Sequence, residues 1–182
     1  MGGNEQGPGW SDRPGADEYA PYYGGYLERV PGGDVLATLE SQIGGTLALL
    51  RSVPAAREGW RYAPDKWSIR EAVGHVIDVE RLFSFRALWF ARSAEGALPG
   101  MEQDDWVRAS NAGARELADL LAEWETLRAS TLRLFRSLAP DALGRRGVAS
   151  GVEFTVRAVP WIVAGHELHH RLILVERYRI GG

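Results

Sequence analysis

Three of the four histidines in this 182-residue chain fall in one stretch, Gly165-His166-Glu167-Leu168-His169-His170, and the fourth, His75, lies far upstream. Residues four apart on a helix share a face, so His166 and His170 can offer two imidazoles to one cation. A tightly held metal needs a third ligand from elsewhere, and His75 is the natural candidate. His169 sits about 100° around the helix from His170, which places it behind the ligands or in solvent. Pairing 166 with 169 stays open at this point. The duller alternative is a set of solvated histidines, or one that is a hydrogen-bonded core residue. Val163, Ala164, Leu168 and Leu172 surround the cluster and argue that at least one ring faces the interior. An unpaired buried polar group there costs about 1–3 kcal/mol, a cost that a bound ion removes. Glu71 and Asp78, flanking His75 by one turn on either side, could accept its free ring N–H as carboxylates commonly do behind ligating histidines.

His166-Glu167-x-x-His170 also spells the zinc-protease signature His-Glu-x-x-His. The longer form of that pattern needs Gly and His where this chain has Ile173 and Glu176. Too little chain follows His170 for a helix bearing a glutamate ligand, and no strand is evident to align a peptide. Glu167 is therefore expected to point away from the metal or to serve another role. No Gly-rich phosphate loop and no Gly-x-Ser-x-Gly elbow occurs, so nucleotide chemistry and serine hydrolysis are unsupported.

Composition narrows the options further. With no cysteine, any metal must use imidazole, carboxylate or water. The net charge of −3 disfavours a nucleic-acid surface, which needs clustered positive charge. No apolar run of membrane-spanning length and no secretory leader is visible, so no membrane partner is expected and the cytoplasm is the expected address.

Four helices must position these residues. Asp34 can cap a helix with Leu36, Leu39, Ile43, Leu47 and Leu50 on one face, ending before Pro54. Ser68-Ile69-Arg70-Glu71 reads as a capping box opening a second helix to about Arg92, with His75 two turns in. A long connection follows, with one short turn near Trp106. A third helix spans about Arg115 to Leu138 and stops at Pro140. Gly144 to Gly151 reads as a turn-rich connector and Glu153 to Val156 as a brief extended piece. In the last helix Thr155 is a possible cap, but Pro160 requires a distorted first turn or a start near Pro160 itself. The expected fold class is all-α, a four-helix bundle spanning residues 34–182. Residues 1–33, with nine glycines and four prolines, form a Gly/Pro/Tyr-rich lead-in. Its tyrosines predict that Glu18 to Leu27 packs on the body or across a dimer interface.

Two segments together carry a family resemblance: Tyr62-Ala63-Pro64-Asp65-Lys66-Trp67-Ser68-Ile69-Arg70-Glu71-Ala72-Val73-Gly74-His75 and Ala164-Gly165-His166-Glu167-Leu168-His169-His170. The chain resembles the DinB-like superfamily of metalloenzymes from about Glu18 to Tyr178. That resemblance implies a bundle with a long crossover after the second helix, frequent homodimers, and a divalent metal on three histidines, here His75, His166 and His170. Members with assigned activity resemble thiol S-transferases and isomerases that use low-molecular-weight thiols, or metal-dependent hydrolases. The expectation is a metalloenzyme whose cation, with open positions, activates a water or a low-molecular-weight thiol against a small-molecule substrate. Zn or Ni suits imidazole best, with Fe and Mn also compatible. The rival is a non-catalytic, stress-response type of scaffold whose metal only staples the second and fourth helices. Trp67, Trp161 and Arg157 approach the site in sequence, which leaves open whether they line a pocket; Arg157 could pair with an acidic substrate group, but a surface contact is the favoured reading.

Overall fold

A computed structural model describes residues 9–181, so the Gly-rich stretch Met1–Gly9 lies almost wholly outside the described residues. A turn at Pro21–Tyr23 runs into the single-turn helix α1 (Gly24–Leu27). The bundle comprises α2 (Val35–Arg51), α3 (Ile69–Ala91), α5 (Leu117–Arg136) and α6 (Ala158–Glu176). The short helix α4 (Gln103–Ala109) lies in the crossover between α3 and α5. Each long helix of the bundle packs beside two others in the cyclic order α2, α5, α3, α6, so the consecutive helices α2 and α3 stand diagonally.

Local chemistry sets the helix starts. The Asp34 carboxylate accepts the Leu36 and Ala37 N–H groups at 2.7 and 3.2 Å, satisfying donors that α2 leaves free. The Ser68 N–H donates to Glu71 Oε2 at 2.7 Å and the Ser68 hydroxyl accepts the Glu71 N–H at 3.3 Å, completing the capping box of α3. α3 then runs 23 residues, about 34 Å, and buries Val73, Val76, Ile77, Val79 and Phe83. Burying side chains of this size stabilises the fold by about 1.5–3 kcal/mol each, so the apolar stripe and not helix propensity holds the bundle together. α6 begins at Ala158, earlier than Pro160. The Thr155 hydroxyl accepts the Ala158 N–H at 3.2 Å, and Pro160 falls in the first turn, where no intrahelical donor is lost.

The connector after α5 is a hairpin: its second strand falls, to within a residue, on the expected extended piece, and its first strand corrects the reading of Gly144 to Gly151 as turns alone. β1 (Arg146–Ala149) pairs antiparallel with β2 (Val152–Thr155), Gly147 opposite Phe154. The Leu98 N–H donates to the Val148 carbonyl at 2.9 Å, so the crossover joins the hairpin edge. Gly147 is required there because a Cβ would overlap the Phe90 ring. Residues of the lead-in pack on this frame. Tyr23 and Leu27 join the core, and the Glu18 carboxylate accepts from Thr155 Oγ1 at 2.9 Å and pairs with Arg157. No helix among the described residues is long and apolar enough to cross a membrane.

Candidate metal centre

The regular turn of α6 stacks His166 and His170 one above the other, and α3 presents His75 to them from the neighbouring helix. One ligand atom from each of the three lies within 4.8 Å of the other two. The ring centroids are 5.2 Å apart for His75 and His166, 5.0 Å for His75 and His170, and 4.4 Å for His166 and His170. His75 Nε2 and His166 Nε2 face each other at 3.3 Å. Two nitrogens bound to one zinc at tetrahedral angles stand about 3.3 Å apart, so this pair fits a shared ion as it stands. Among the described residues neither ring has another hydrogen-bond partner.

Electrostatics keeps the rings ready to ligate. Burial lowers the His75 pKa to about 4, with Asp104 opposing, and lowers that of His170 to about 3, with His75 and His169 adding to it. Burial, followed by His170, His75 and His169, holds His166 well below the ordinary imidazole range. At neutral pH all three are neutral and offer lone pairs.

Surrounding aromatics fix the ring positions. The Trp67 indole packs on His75 at 4.6 Å. Trp67 is itself held at both ends, its carbonyl accepting from Tyr178 Oη at 2.7 Å and its Nε1 donating to Asp104 Oδ1 at 3.1 Å. Tyr26 meets the His166 ring edge-on at 5.5 Å and the His169 ring at 5.3 Å. α1 reaches that position only because residue 165 lacks a side chain, since a Cβ would overlap the Tyr26 carbonyl.

Two cavities flank the cluster. The first, about 450 Å³, is bounded by His169, His170, Trp67, Tyr62, Lys66 and Asp104. The second, about 240 Å³, is bounded by His75 and His166 with Val79, Phe83, Arg86 and Ile162. Tyr22, Tyr26 and Gln103 border both.

Other sequence expectations resolve differently. His169 lies outside the triad, against Tyr26. Glu71 is taken up by the capping box and Arg61, and Asp78 faces Arg81, so neither carboxylate backs His75. Trp161 is fully buried in the core with Arg13 over its ring at 4.8 Å, and Arg157 is spent on Glu18, so neither forms the site. Glu167 points away from the histidines. Only 1% exposed, it accepts from Arg128 Nη2 at 2.8 Å, Thr46 Oγ1 at 2.6 Å and Gln42 Nε2 at 2.6 Å. Arg128 also donates to both Glu80 oxygens at 2.9 Å and to the Leu39 carbonyl at 2.8 Å. This network ties together α2, α3, α5 and α6 beside the histidines. Its partners are remote in sequence, and the only signal available was charged or polar residues on otherwise apolar helix faces.

A helical bundle whose histidines converge from two long helices, with cavities on either side, defines the structural class. The chain belongs to the DinB superfamily, whose family model matches residues 38–174. Among solved structures it resembles YfiT from Bacillus subtilis, described as a probable metal-dependent hydrolase with an unusual four-helix bundle topology. The TM-score is 0.65 at 16% identity, covering 96% of this chain and 95% of that one. It also resembles a mycothiol-dependent maleylpyruvate isomerase, with TM-score 0.64 and 14% identity over 81% of this chain, which spans 59% of the isomerase. A DinB-like protein of Bacillus subtilis, YjoA, matches at TM-score 0.57 and 21% identity over 80% of this chain and 89% of its own. At these identities the likeness shows the fold. No curated protein sequence matches the chain.

Proposed function

We propose that this protein is a metal-dependent enzyme in which His75, His166 and His170 hold a divalent cation, with Zn or Ni as the best-suited ions, and act on a small molecule through an activated water or low-molecular-weight thiol. The observation that carries this reading is the convergence of three neutral imidazoles between two cavities. A divalent cation held by these rings would supply Lewis acidity, lowering the pKa of a water or thiol that reaches it. The chain's own residues do the rest. Trp67 and Tyr26 fix the ring orientations, and the buried faces of α3 and α6 limit the water that reaches the cluster. The flanking cavities leave room for two reactants, as thiol transfer requires, and a purely stapling metal would have no use for them. YfiT's description as a probable metal-dependent hydrolase and the isomerase's dependence on mycothiol support the same two reaction classes.

Substitution His166→Ala tests the proposal. It should abolish stoichiometric uptake of zinc or nickel, read by elemental analysis, while helical circular dichroism is retained. Full metal content in that variant would overturn the assignment. Chelation should also abolish turnover in thiol-transfer and hydrolase screens.

A further inference from the structure

Arg86 lies three turns along α3 from His75 and returns to nearly the same face, about 16 Å further along the axis. Side chains on a helix lean toward its N-terminus, so the guanidinium comes back toward the histidines. It borders the same 240 Å³ cavity as His75 and His166. The residue is only 2% exposed, yet no carboxylate stands within ion-pair distance of it among the described residues. Its Nη2 donates to the Pro99 carbonyl at 3.1 Å and to Ser150 Oγ at 2.9 Å. Nε is buried without a partner. The remaining neighbours are the Phe83 ring, 4.9 Å below the guanidinium, and the Tyr23 phenol, which stands close enough to hydrogen-bond with it. Arg128, buried to the same extent, has two glutamates. A buried cation lacking its counter-charge is costly to keep, and Arg86 borders a cavity that an anion could enter.

We propose that this cavity receives the carboxylate of a small acid with an apolar body, anchored by Arg86, with the other end of the molecule presented to the histidine cluster. The last element rests on the metalloenzyme reading above; the carboxylate site itself does not. The unpaired positive charge of the guanidinium suits a carboxylate, and Val79, Leu82, Phe83, Met101 and Ile162 supply apolar walls. A single cation in such walls suits one negative charge better than a phosphate dianion.

The test uses the full chain stripped of metal by chelation, so that a carboxylate cannot bind through the ion. Calorimetric titration with benzoate should saturate, and benzamide, of the same shape without the charge, should bind at least about tenfold more weakly. Arg86→Gln should reduce benzoate to the benzamide level. Because Arg86 also braces Pro99 and Ser150, Leu82→Trp, which fills the cavity and leaves the guanidinium in place, should independently abolish benzoate binding. Equal affinity for benzoate and benzamide, tighter binding of phenyl phosphate, no saturation in the millimolar range, or benzoate binding untouched by either variant would overturn the proposal. Metal uptake is measured on the same preparation. A chain that takes up no metal yet discriminates benzoate through Arg86 sinks the metalloenzyme reading alone, and the reverse pattern sinks the acid pocket alone.

Discussion

Replacing Arg128 by methionine removes the one cation that joins Glu80 to Glu167 in the bundle interior. All three side chains are at most 2% exposed. The substitution deletes the bonds from Nε and Nη2 to Glu80, from Nη2 to Glu167 and from Nη1 to the Leu39 carbonyl, at 2.8–2.9 Å. Methionine fills much of the volume, so the loss is electrostatic and not a cavity. Breaking a buried pair from one side costs about 3–5 kcal/mol, against a total stability of about 5–15 kcal/mol. For a chain of this size that corresponds to a fall in melting temperature of about 6–20 °C. Chemical denaturation and scanning calorimetry measure both quantities. Combining Arg128→Met with Glu80→Gln and Glu167→Gln removes the stranded charges while keeping an acceptor for Trp124 Nε1, Thr46 Oγ1 and Gln42 Nε2, and should recover about half the loss or more. A single variant within about 1 kcal/mol of the parent, or a triple variant no better than the single, would refute the argument.

Gly165→Ala drives a methyl into the Tyr26 carbonyl, which is backbone and cannot rotate aside. It should cost about 1–3 kcal/mol and weaken metal retention through the displaced α1, and an unchanged melting curve would contradict this. Trp67→Leu frees the His75 ring and should loosen zinc about tenfold in a competition titration, an effect that His169→Gln should not reproduce. Burial raises the Glu18 pKa, but Arg157, the Gly15 N–H and Thr155 outweigh it and set the net value below 4.5. The stability it contributes is therefore present above about pH 4.5 and lost as pH falls through the lower folded value. Glu18→Gln should flatten that part of the acid stability profile, and an identical slope in both proteins would exclude the coupling.

The helices were legible because their apolar periods are long and their caps explicit, as at Asp34 and Ser68. The histidine cluster was legible because a one-turn spacing on a single helix is a local fact, and His75 was the sole histidine left to meet it. The hairpin was legible only in its second half, where the extended piece at Glu153 to Val156 falls on β2 to within a residue; β1 was not, because a four-residue strand carries too little alternation, and Gly147, which reads as a turn residue, is there to admit Phe90. Glu167 and Arg128 defeated sequence reasoning for another reason. A charge on an apolar helix face looks like an interruption until its partner, 39 or 48 residues away on a different helix, is known. Trp161 and Arg157 are near the histidines in sequence only, since the first turn of α6 faces the core and the lead-in, not the cavities.

The floor and the rim of the two cavities have separate origins. The histidines and Arg86 come from the long helices, whereas Tyr22, Tyr26, Met101, Gln103, Asp104 and Ser150 belong to the lead-in, the crossover and the hairpin turn. Exchange of those peripheral pieces can redraw the entrance while the interior packing stays as it is, so one histidine cluster can be given a different surround by grafting loops.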